Sequence, residues 1–419
     1  MPINAVCYNH IPVQQSTFKA GLSARVHRWF RLTPSFGPDL VREMLQNLSC
    51  SKDDVILDPF SGAGTTIIES KLEGFDSYGF EINPLLFWVG KTSTNWDLDV
   101  TILKKDRLKV ISQFSEQKKY IKFDNLEDNS LSIPPIHNPL RWWRKDVITD
   151  LLILKRAIHE CTSSEDIRDF FLLALAGVLV PDLSNVTLGK LQLHFIERDN
   201  DNISVIDTYV KHLELMIDDI TSISTLGLNV ISKIFHTNSI TLEGVGIDRP
   251  ISCVITSPPY PNRYSYVWNT RPHLYFLDFF STPKEASDLD KETIGGTWGT
   301  ATSILGKGVV EPSFEFLKGD VWKVVEDIRQ DDNLMANYVM KYFNLLSEQI
   351  YAMEKLPQRN LRCAYVVGNS RIKKRYVETD ILLGDIFNNL GYKLKSIDRI
   401  RKRNSGKDLF ESIVYAEKE

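Results

Sequence analysis

A short apolar strand that runs directly into a glycine-rich turn constrains this 419-residue chain more than any other feature. The run Val55–Leu57 leads into the segment Asp58–Thr66, and the apolar positions that follow recur at helical spacing. Glycines between a strand and a helix are typical of α/β sheets that bind a ligand at the carboxyl ends of their strands. The sequence therefore predicts a β-α unit with a ligand site in the turn.

A second loop follows another buried strand, past the middle of the chain. The run Cys253–Thr256 is succeeded by Ser257, Pro258, Pro259 and Tyr260. Two prolines cannot continue a helix or a central strand, so this segment is predicted to be a stiff loop. Stiff polar loops at strand ends are suited to catalysis. A proline-rich surface turn is the structural alternative.

The next strand after the glycine turn supports a nucleoside ligand. Tyr78–Phe80 reads as a short strand that ends in Glu81, 17 residues after Gly64. A carboxylate at that strand tip can accept hydrogen bonds from both ribose hydroxyls, although a surface acid is the alternative. Ile67 stands where a dinucleotide fingerprint has its third glycine, which weakens a dinucleotide interpretation.

Composition gives no global signature of nucleic-acid binding. The chain is 43% hydrophobic and 25% charged, with a formal net charge of −4, as in an ordinary globular protein. Two local basic clusters, Arg371–Arg375 and Arg399–Arg403, are either solvated loops or phosphate contacts. A basic surface would therefore have to be local.

The five cysteines show no metal-binding spacing, so neither a zinc site nor a disulfide framework is predicted. The longest apolar run, residues 170–180, is too short to span a bilayer and reads as a buried helix. No signal peptide opens the chain, and we expect a cytoplasmic protein without a membrane partner.

The two loops together resemble those of the amino-group DNA methyltransferases, which combine a DPFxGxGTT segment with a DPPY, NPPY or SPPY loop. This resemblance implies an α/β fold: a Rossmann-like, mostly parallel sheet with an antiparallel C-terminal hairpin strand, here with a helical insertion. It implies S-adenosyl-L-methionine as cofactor and double-stranded DNA with a flipped base as substrate. It also implies restriction-modification, with a cognate restriction endonuclease acting separately.

Within that family the serine-headed loop is more often associated with N4 of cytosine than with N6 of adenine. Methylation of adenine N6 is the first alternative. Methylation of guanine N2 in tRNA is the second, but the short stretch before Asp58 leaves little room for an RNA-binding front domain. The oligomeric state does not follow from the resemblance.

The resemblance assigns cofactor contacts residue by residue. They are Phe36, Asp58, Pro59, Phe60, Gly62, Gly64, Thr65, Thr66, Glu81, Asn83 and Asn238. Asn238 departs from the aspartate that is usual there, although its carbonyl could still accept a hydrogen bond from an adenine amine. Core packing for Phe36, a capping role for Asp58 and a plain turn at Asn83 are the structural alternatives.

The catalytic loop is assigned to Ser257, Pro258, Pro259 and Tyr260, and no metal is expected. An exocyclic amine is a poor nucleophile because its lone pair is delocalised into the ring. The Ser257 hydroxyl and the Pro258 carbonyl can accept the two amine hydrogens and localise that pair, while the prolines fix the geometry. Tyr260 is expected to stack on the base, and Gly368–Ser370 resembles a later family motif near the base pocket.

The sequence divides into five parts under this interpretation. Residues 1–97 and 335–419 are the first and last parts of the catalytic domain, 98–230 a helical insertion, 231–280 the part with the catalytic loop, and 281–334 a possible target-recognition segment. The aromatic residues of 264–280 either pack in the core or line the base pocket. The tail is predicted as a helix, a strand over 392–397, a basic loop, and a strand over 411–416 paired as an antiparallel hairpin.

Overall fold

The computed structural model describes residues 6–11, 17–33, 35–189, 192–295, 300–403 and 409–418. Residues 296–299 of the predicted recognition segment lie outside these ranges. The strands are β1 (Val6–Tyr8), β2 (Val55–Asp58), β3 (Asp76–Glu81), β4 (Val186–Leu188), β5 (Leu193–Phe195), β6 (Ser232–His236), β7 (Ile251–Thr256), β8 (Gln358–Gly368), β9 (Ser370–Ile372), β10 (Arg375–Val377), β11 (Lys393–Lys402) and β12 (Phe410–Glu417).

Helices alternate with these strands along the chain. They are α1 (Phe18–Gly21), α2 (Pro38–Asn47), α3 (Thr65–Leu72), α4 (Pro84–Thr94), α5 (Val100–Lys118), α6 (Pro139–Trp142), α7 (Lys145–Cys161), α8 (Glu165–Leu179), α9 (Val205–Ile223), α10 (Tyr266–Phe276), α11 (Pro283–Glu292), α12 (Thr300–Leu305), α13 (Asp320–Arg329), α14 (Asn333–Ala352) and α15 (Thr379–Asn389). Short 3₁₀ helices span His27–Trp29, Phe123–Asn125, Glu127–Asn129, Ser224–Leu226, Glu315–Lys318 and Met353–Lys355.

One eight-stranded sheet organises the molecule, in the order β1-β11-β12-β8-β7-β2-β3-β6. Strands β8, β7, β2, β3 and β6 are parallel to one another, and β12 is antiparallel to both β8 and β11. The predicted Rossmann-like sheet with an antiparallel C-terminal hairpin is therefore confirmed. Parallel strands are buried on both faces, which explains why β2 and β7 are continuous apolar runs.

The prediction of a basic loop at Arg399–Arg403 is wrong, because β11 continues to Lys402. Ile397 and Ile400 are buried, Asp398 and Arg399 between them are half-buried, and Arg399 and Arg401 pair with Asp380 and Glu411. A register shift between Arg399 and Arg401 breaks the simple alternation of the strand. Because residues 398–402 are mostly charged and their pairing is irregular, apolar periodicity does not reveal that the strand continues past Ile397.

The region 98–230 is mainly helical, with one small hairpin of β4 and β5 that the periodicity did not predict. Its large buried aromatic side chains belong to one hydrophobic cluster, which also includes Val267 and Phe276 of α10. The helices of this region therefore share a core with the helix that follows the catalytic loop. None of the helices in the described ranges is both long and apolar enough to cross a membrane. The five-part division of the chain stays a prediction.

Hydrogen bonds to two buried carboxylates anchor the N-terminal segment to the rest of the fold. His27 Nε2 lies 2.7 Å from the Glu69 carboxylate of α3. Asp219 of α9 accepts hydrogen bonds from the Val26 amide, the Trp29 indole and the Arg28 guanidinium, at distances between 2.6 and 3.2 Å. These contacts hold the chain immediately before Leu32 and Phe36, two residues that line the cavity described below.

We expect Asp219→Ala to lower the free energy of unfolding by about 3 kcal/mol, because three buried or half-buried donors lose their acceptor. Chemical denaturation followed by circular dichroism measures the change. Asp218→Ala is the matched control, since Asp218 is the exposed neighbour on the same helix. Its effect is expected to stay within about 0.5 kcal/mol. Equal losses in the two variants would contradict the anchoring role of Asp219.

Candidate active site

A cavity opens at the carboxyl ends of the parallel strands, with about 900 Å³ of space when its solvent-open mouth is included. This edge of the sheet is where α/β folds bind ligands. Ten of the predicted site residues line it: Phe36, Pro59, Phe60, Gly62, Thr65, Glu81, Asn83, Asn238, Ser257 and Pro259. The glycine turn and the proline loop therefore meet at one cavity. Five others, Asp58, Gly64, Thr66, Pro258 and Tyr260, do not line its wall.

The glycine turn depends on two left-handed residues. Gly62 has φ +53° and Gly64 has φ +91°, a region that side-chain-bearing residues rarely adopt. A Cβ atom on Gly64 would also lie 3.3 Å from the Gly90 Cα of α4. Gly64 therefore permits the close approach of α3 to α4, whereas Gly62 exposes its amide to the cavity edge beside Glu81.

Glu81 is the central carboxylate of the cavity. Its two oxygens accept hydrogen bonds from the amides of Gly62 and Asn83, each at 2.8 Å. Burial raises the pKa of Glu81 to about 7, and the charge of Asp58 acts in the same direction. Because each carboxylate oxygen can accept two hydrogen bonds, Glu81 keeps acceptor capacity for a ligand.

Asp58 lies beneath the cavity, with its side chain 1% exposed. Its carboxylate accepts a hydrogen bond from the Thr256 hydroxyl at 2.5 Å and another from the Phe60 amide at 3.0 Å. Burial raises the pKa of Asp58 to about 6. Thr256 is the last residue of β7 and precedes Ser257, so Asp58 connects the glycine turn to the catalytic loop.

Three further predicted residues have defined local partners. Asn83 caps α4 by accepting from the Leu85 amide at 3.0 Å, ahead of Pro84 at the first helical position. The Thr66 hydroxyl donates to the Ile255 carbonyl of β7 at 3.3 Å. Asn238 accepts from the Ile240 amide at 2.9 Å while it lines the cavity. Asn83 and Asn238 thus shape the cavity wall through turns, and Thr66 adds a second link to β7.

Tyr260 is held at the outer end of the catalytic loop. Its hydroxyl donates to Glu411 of β12 at 2.8 Å, and Glu411 is also paired with Arg401. Its ring packs on Gly368 so closely that a Cβ atom there would lie 2.6 Å from it. Burial raises the pKa of Tyr260 well above its usual value. Gly368, at the end of β8, therefore has to be a glycine if Tyr260 keeps this position.

Comparison with known proteins agrees with this arrangement. The family model described as DNA methylase matches residues 14–87, which include the N-terminal segment and the glycine turn. Three type II methyltransferases are similar over most of their lengths. M.MvaI of Kocuria varians is 24% identical, and the alignment covers 86% of this chain and 80% of the relative. M.BsoBI of Geobacillus stearothermophilus is 22% identical, and the alignment covers 94% of this chain and 86% of the relative. M.AvaI of a Nostoc species is 20% identical, and the alignment covers 91% of this chain and 82% of the relative.

These comparisons support an amino-group DNA methyltransferase. The resemblance of the chain to that family, inferred from the two loops, is thereby confirmed. The matched stretch begins well before the glycine turn, in agreement with the role of the N-terminal segment as one wall of the methyltransferase cavity.

Sequence reasoning missed several residues of this methyltransferase site. Leu32, Thr237 and the stretch 292–294 line the cavity, and Glu411 holds Tyr260 from 151 positions away. Tyr266, one of the aromatic residues left between core and pocket, also lines it. Thr237 could have been found, because it directly precedes Asn238 after β6. Glu411 could not have been found in this way, because no motif lies next to it in the sequence.

Two cysteine thiols are in contact, which the spacing of the cysteines in the sequence did not predict. Cys50 Sγ and Cys253 Sγ lie 3.0 Å apart, although the residues are 203 positions apart in sequence. With Asp54 they form the one cluster of three potential metal ligands found in the described residues. The Asp54 carboxylate, however, accepts from the Ser51 amide at 2.7 Å and pairs with Arg362 at 2.8 Å. These protein donors already satisfy the carboxylate that a cation would need.

We expect Gly64→Ala to lower the free energy of unfolding by about 1–2 kcal/mol, since the substitution forces a side chain into the left-handed region. Chemical denaturation measures the loss. Gly246→Ala is the control, because a Cβ atom at Gly246 would meet open space and its φ lies outside the left-handed region. Its stability is expected to be unchanged or slightly raised. A neutral Gly64→Ala would show that the turn does not require the left-handed residue.

Proposed function

We propose that this protein transfers a methyl group from S-adenosyl-L-methionine to the exocyclic amine of a flipped base in double-stranded DNA. The base that we propose is cytosine and the atom N4, within a specific sequence and as part of a restriction-modification system. The observation that carries the proposal is the shared cavity, which Gly62 and Glu81 of the cofactor segment line together with Ser257 and Pro259 of the catalytic loop. The three relatives are named as type II methyltransferases, which supports the same activity here.

The cavity has the donors and acceptors that this cofactor requires. Glu81 keeps acceptor positions for two ribose hydroxyls, and Phe36 and Leu32 supply apolar wall for an adenine ring. The Thr237 hydroxyl is buried in this wall and has no hydrogen-bond partner among the described residues. A buried hydroxyl without a partner is unfavourable, so a polar ligand would relieve it. When bound, the cofactor supplies an electrophilic methyl group on a sulfonium centre.

The catalytic loop would activate the amine of the target base. The Ser257 hydroxyl and the Pro258 carbonyl would each accept one amine hydrogen, so that the nitrogen lone pair is no longer shared with the ring. Prolines at 258 and 259 and the Asp58–Thr256 hydrogen bond hold these acceptors in place before the base arrives. Since the amine is occupied in a base pair, the target must leave the helix first.

We expect wild-type protein to leave N4-methylcytosine in DNA, and Ser257→Ala to reduce kcat on the order of 100-fold by removing one acceptor of the amine. Mass spectrometry of nucleosides from DNA treated with the labelled cofactor identifies the product and its rate. Ser239→Ala is the matched control, since Ser239 lines the same cavity outside the catalytic loop. If the product were N6-methyladenine, the target base would be adenine and not cytosine. An unchanged kcat in Ser257→Ala would refute the catalytic role of the serine.

We expect affinity for the cofactor to rise with pH and to level off above about 7, the pKa to which burial raises Glu81. The ionised carboxylate accepts two hydroxyl hydrogens, whereas the protonated group has one acceptor fewer. In the free protein the raised pKa of Glu81 lowers the free energy of unfolding, because the carboxyl group of the unfolded chain loses its proton at lower pH. Isothermal titration calorimetry between about pH 5.5 and 8 measures the affinity.

Glu81→Gln is the control for this pH dependence. It keeps an amide oxygen as acceptor but has no group that titrates, so its affinity is expected to be weaker and nearly flat across the range. The remaining slope in this variant reports Asp58, whose pKa is about 6. An identical pH profile in wild type and Glu81→Gln would contradict the assignment of the ribose contact to Glu81.

A further inference from the structure

Four cationic side chains near the catalytic loop have no acidic partner among the described residues. Arg263 is exposed and follows Tyr260 by three positions. The Arg403 guanidinium carbon lies 5.3 Å from the centre of the Tyr260 ring, and its Nη1 donates to the Asn369 carbonyl at 2.8 Å. Arg371 and Lys374 are exposed on the β9–β10 hairpin, which begins two residues after Gly368. We call these four residues the cationic rim.

Two members of the cationic rim occupy unfavourable backbone conformations. Arg263 has φ +60° and Lys374 has φ +72°, and Lys373 beside it has φ +46°. Lys373 and Lys374 form the two-residue turn between β9 and β10, a turn that ordinarily favours asparagine and glycine. Arg263 and Lys374 therefore keep long cationic side chains at positions where glycine or asparagine would be less strained.

Of the four cationic residues on the β9–β10 hairpin, two pair with acids of the described chain and two do not. Lys373 lies 3.1 Å from the Asp332 carboxylate, and Arg375 lies 3.0 Å from that of Asp327. These pairs fix the hairpin against the end of α13 and compensate both cations. Arg371 and Lys374 have no such pair within the described residues and remain available to an anion from solution.

We propose that the cationic rim binds the phosphodiester backbone of the DNA duplex close to the target base. This inference rests on the proposed function and names the surface that holds its substrate. Lys374 is six residues beyond Gly368, which touches Tyr260, so it lies at most about 20 Å from the catalytic loop. At about 3.4 Å per nucleotide, that reach covers phosphates within roughly six positions of the flipped base. The net charge of −4 requires duplex binding to depend on such local cations.

The double variant Arg371→Gln/Lys374→Gln tests the hairpin half of the rim. Fluorescence anisotropy with a labelled duplex of about 30 base pairs and mixed sequence gives affinity at several salt concentrations. We expect the slope of log affinity against log salt to become shallower by about 1.8, since two phosphate contacts are lost. Between 50 and 200 mM salt the wild type should then lose about tenfold more affinity than the variant. In methylation assays the KM for DNA should rise with a much smaller change in kcat.

Two single variants separate charge from structure. Lys374→Gly removes the charge and also relieves the left-handed turn, so we expect an equal or higher melting temperature together with weaker DNA binding. Lys355→Gln is the matched control for a lost lysine charge. Lys355 is exposed, has no partner within the described residues, and lies just before β8, at the opposite end of that strand from Gly368. Its DNA affinity and salt slope should equal those of the wild type.

The outcomes distinguish this inference from the proposed function. An unchanged salt slope in the double variant, with methyl transfer retained, would overturn the cationic rim and leave the methyltransferase activity standing. Duplex binding with the expected slopes but no methyl transfer by the wild type would count against the proposed function alone. The same loss of affinity in Lys355→Gln as in the double variant would also overturn the rim, because the effect would then follow from net charge.

Discussion

The hydrogen bond between Asp58 and Thr256 is the interaction on which the site depends. It joins the end of β2 to the end of β7, two neighbouring strands whose following segments are the glycine turn and the catalytic loop. The Thr66 hydroxyl adds a second link, to the Ile255 carbonyl. Because a buried carboxylate without donors is costly, this bond favours one alignment of the two strand ends over any other. The cavity therefore has its shape before any ligand enters.

That alignment places the buried carboxylate of Asp58 and the half-buried carboxylate of Glu81 at one edge of the sheet. Asp58 and Glu81 both have raised pKa values, to about 6 and about 7, because burial disfavours their charged forms. Backbone amides and a hydroxyl satisfy them only in part, and Thr237 adds a buried hydroxyl without a partner in the described chain. Such groups reduce the stability of an empty site, and active sites are where proteins commonly retain them. The anchored N-terminal segment and the shared helical core supply the stability that this edge lacks.

The sequence predicted those parts of the fold in which local composition and burial agree. Val55–Leu57 and Cys253–Ile255 are continuous apolar runs before breaker residues, so both strands and both loops were legible. Strand β11 was predicted only as far as Ile397, because charged residues dominate its last five positions. The partners Glu411 for Tyr260 and Cys50 for Cys253 are 151 and 203 positions apart, and no local pattern reports such pairs. Asp58 was predicted as a cofactor contact, and in the structure its carboxylate links the two loops. An aspartate at this position fits either role, so the residue type alone does not distinguish them.

The distribution of charge around the catalytic loop explains how an acidic protein can present a surface for DNA. Asp58 and Glu411 near the loop are buried, and Glu411 is also paired with Arg401, whereas Arg263 and Lys374 are exposed. Charges separated by more than about 10 Å of physiological solution are largely screened from one another. A phosphate at the catalytic loop therefore interacts mainly with the exposed cations beside it and little with the remainder of the surface. Burial of Asp58 and Glu411 therefore removes two acidic charges from the surface beside the catalytic loop.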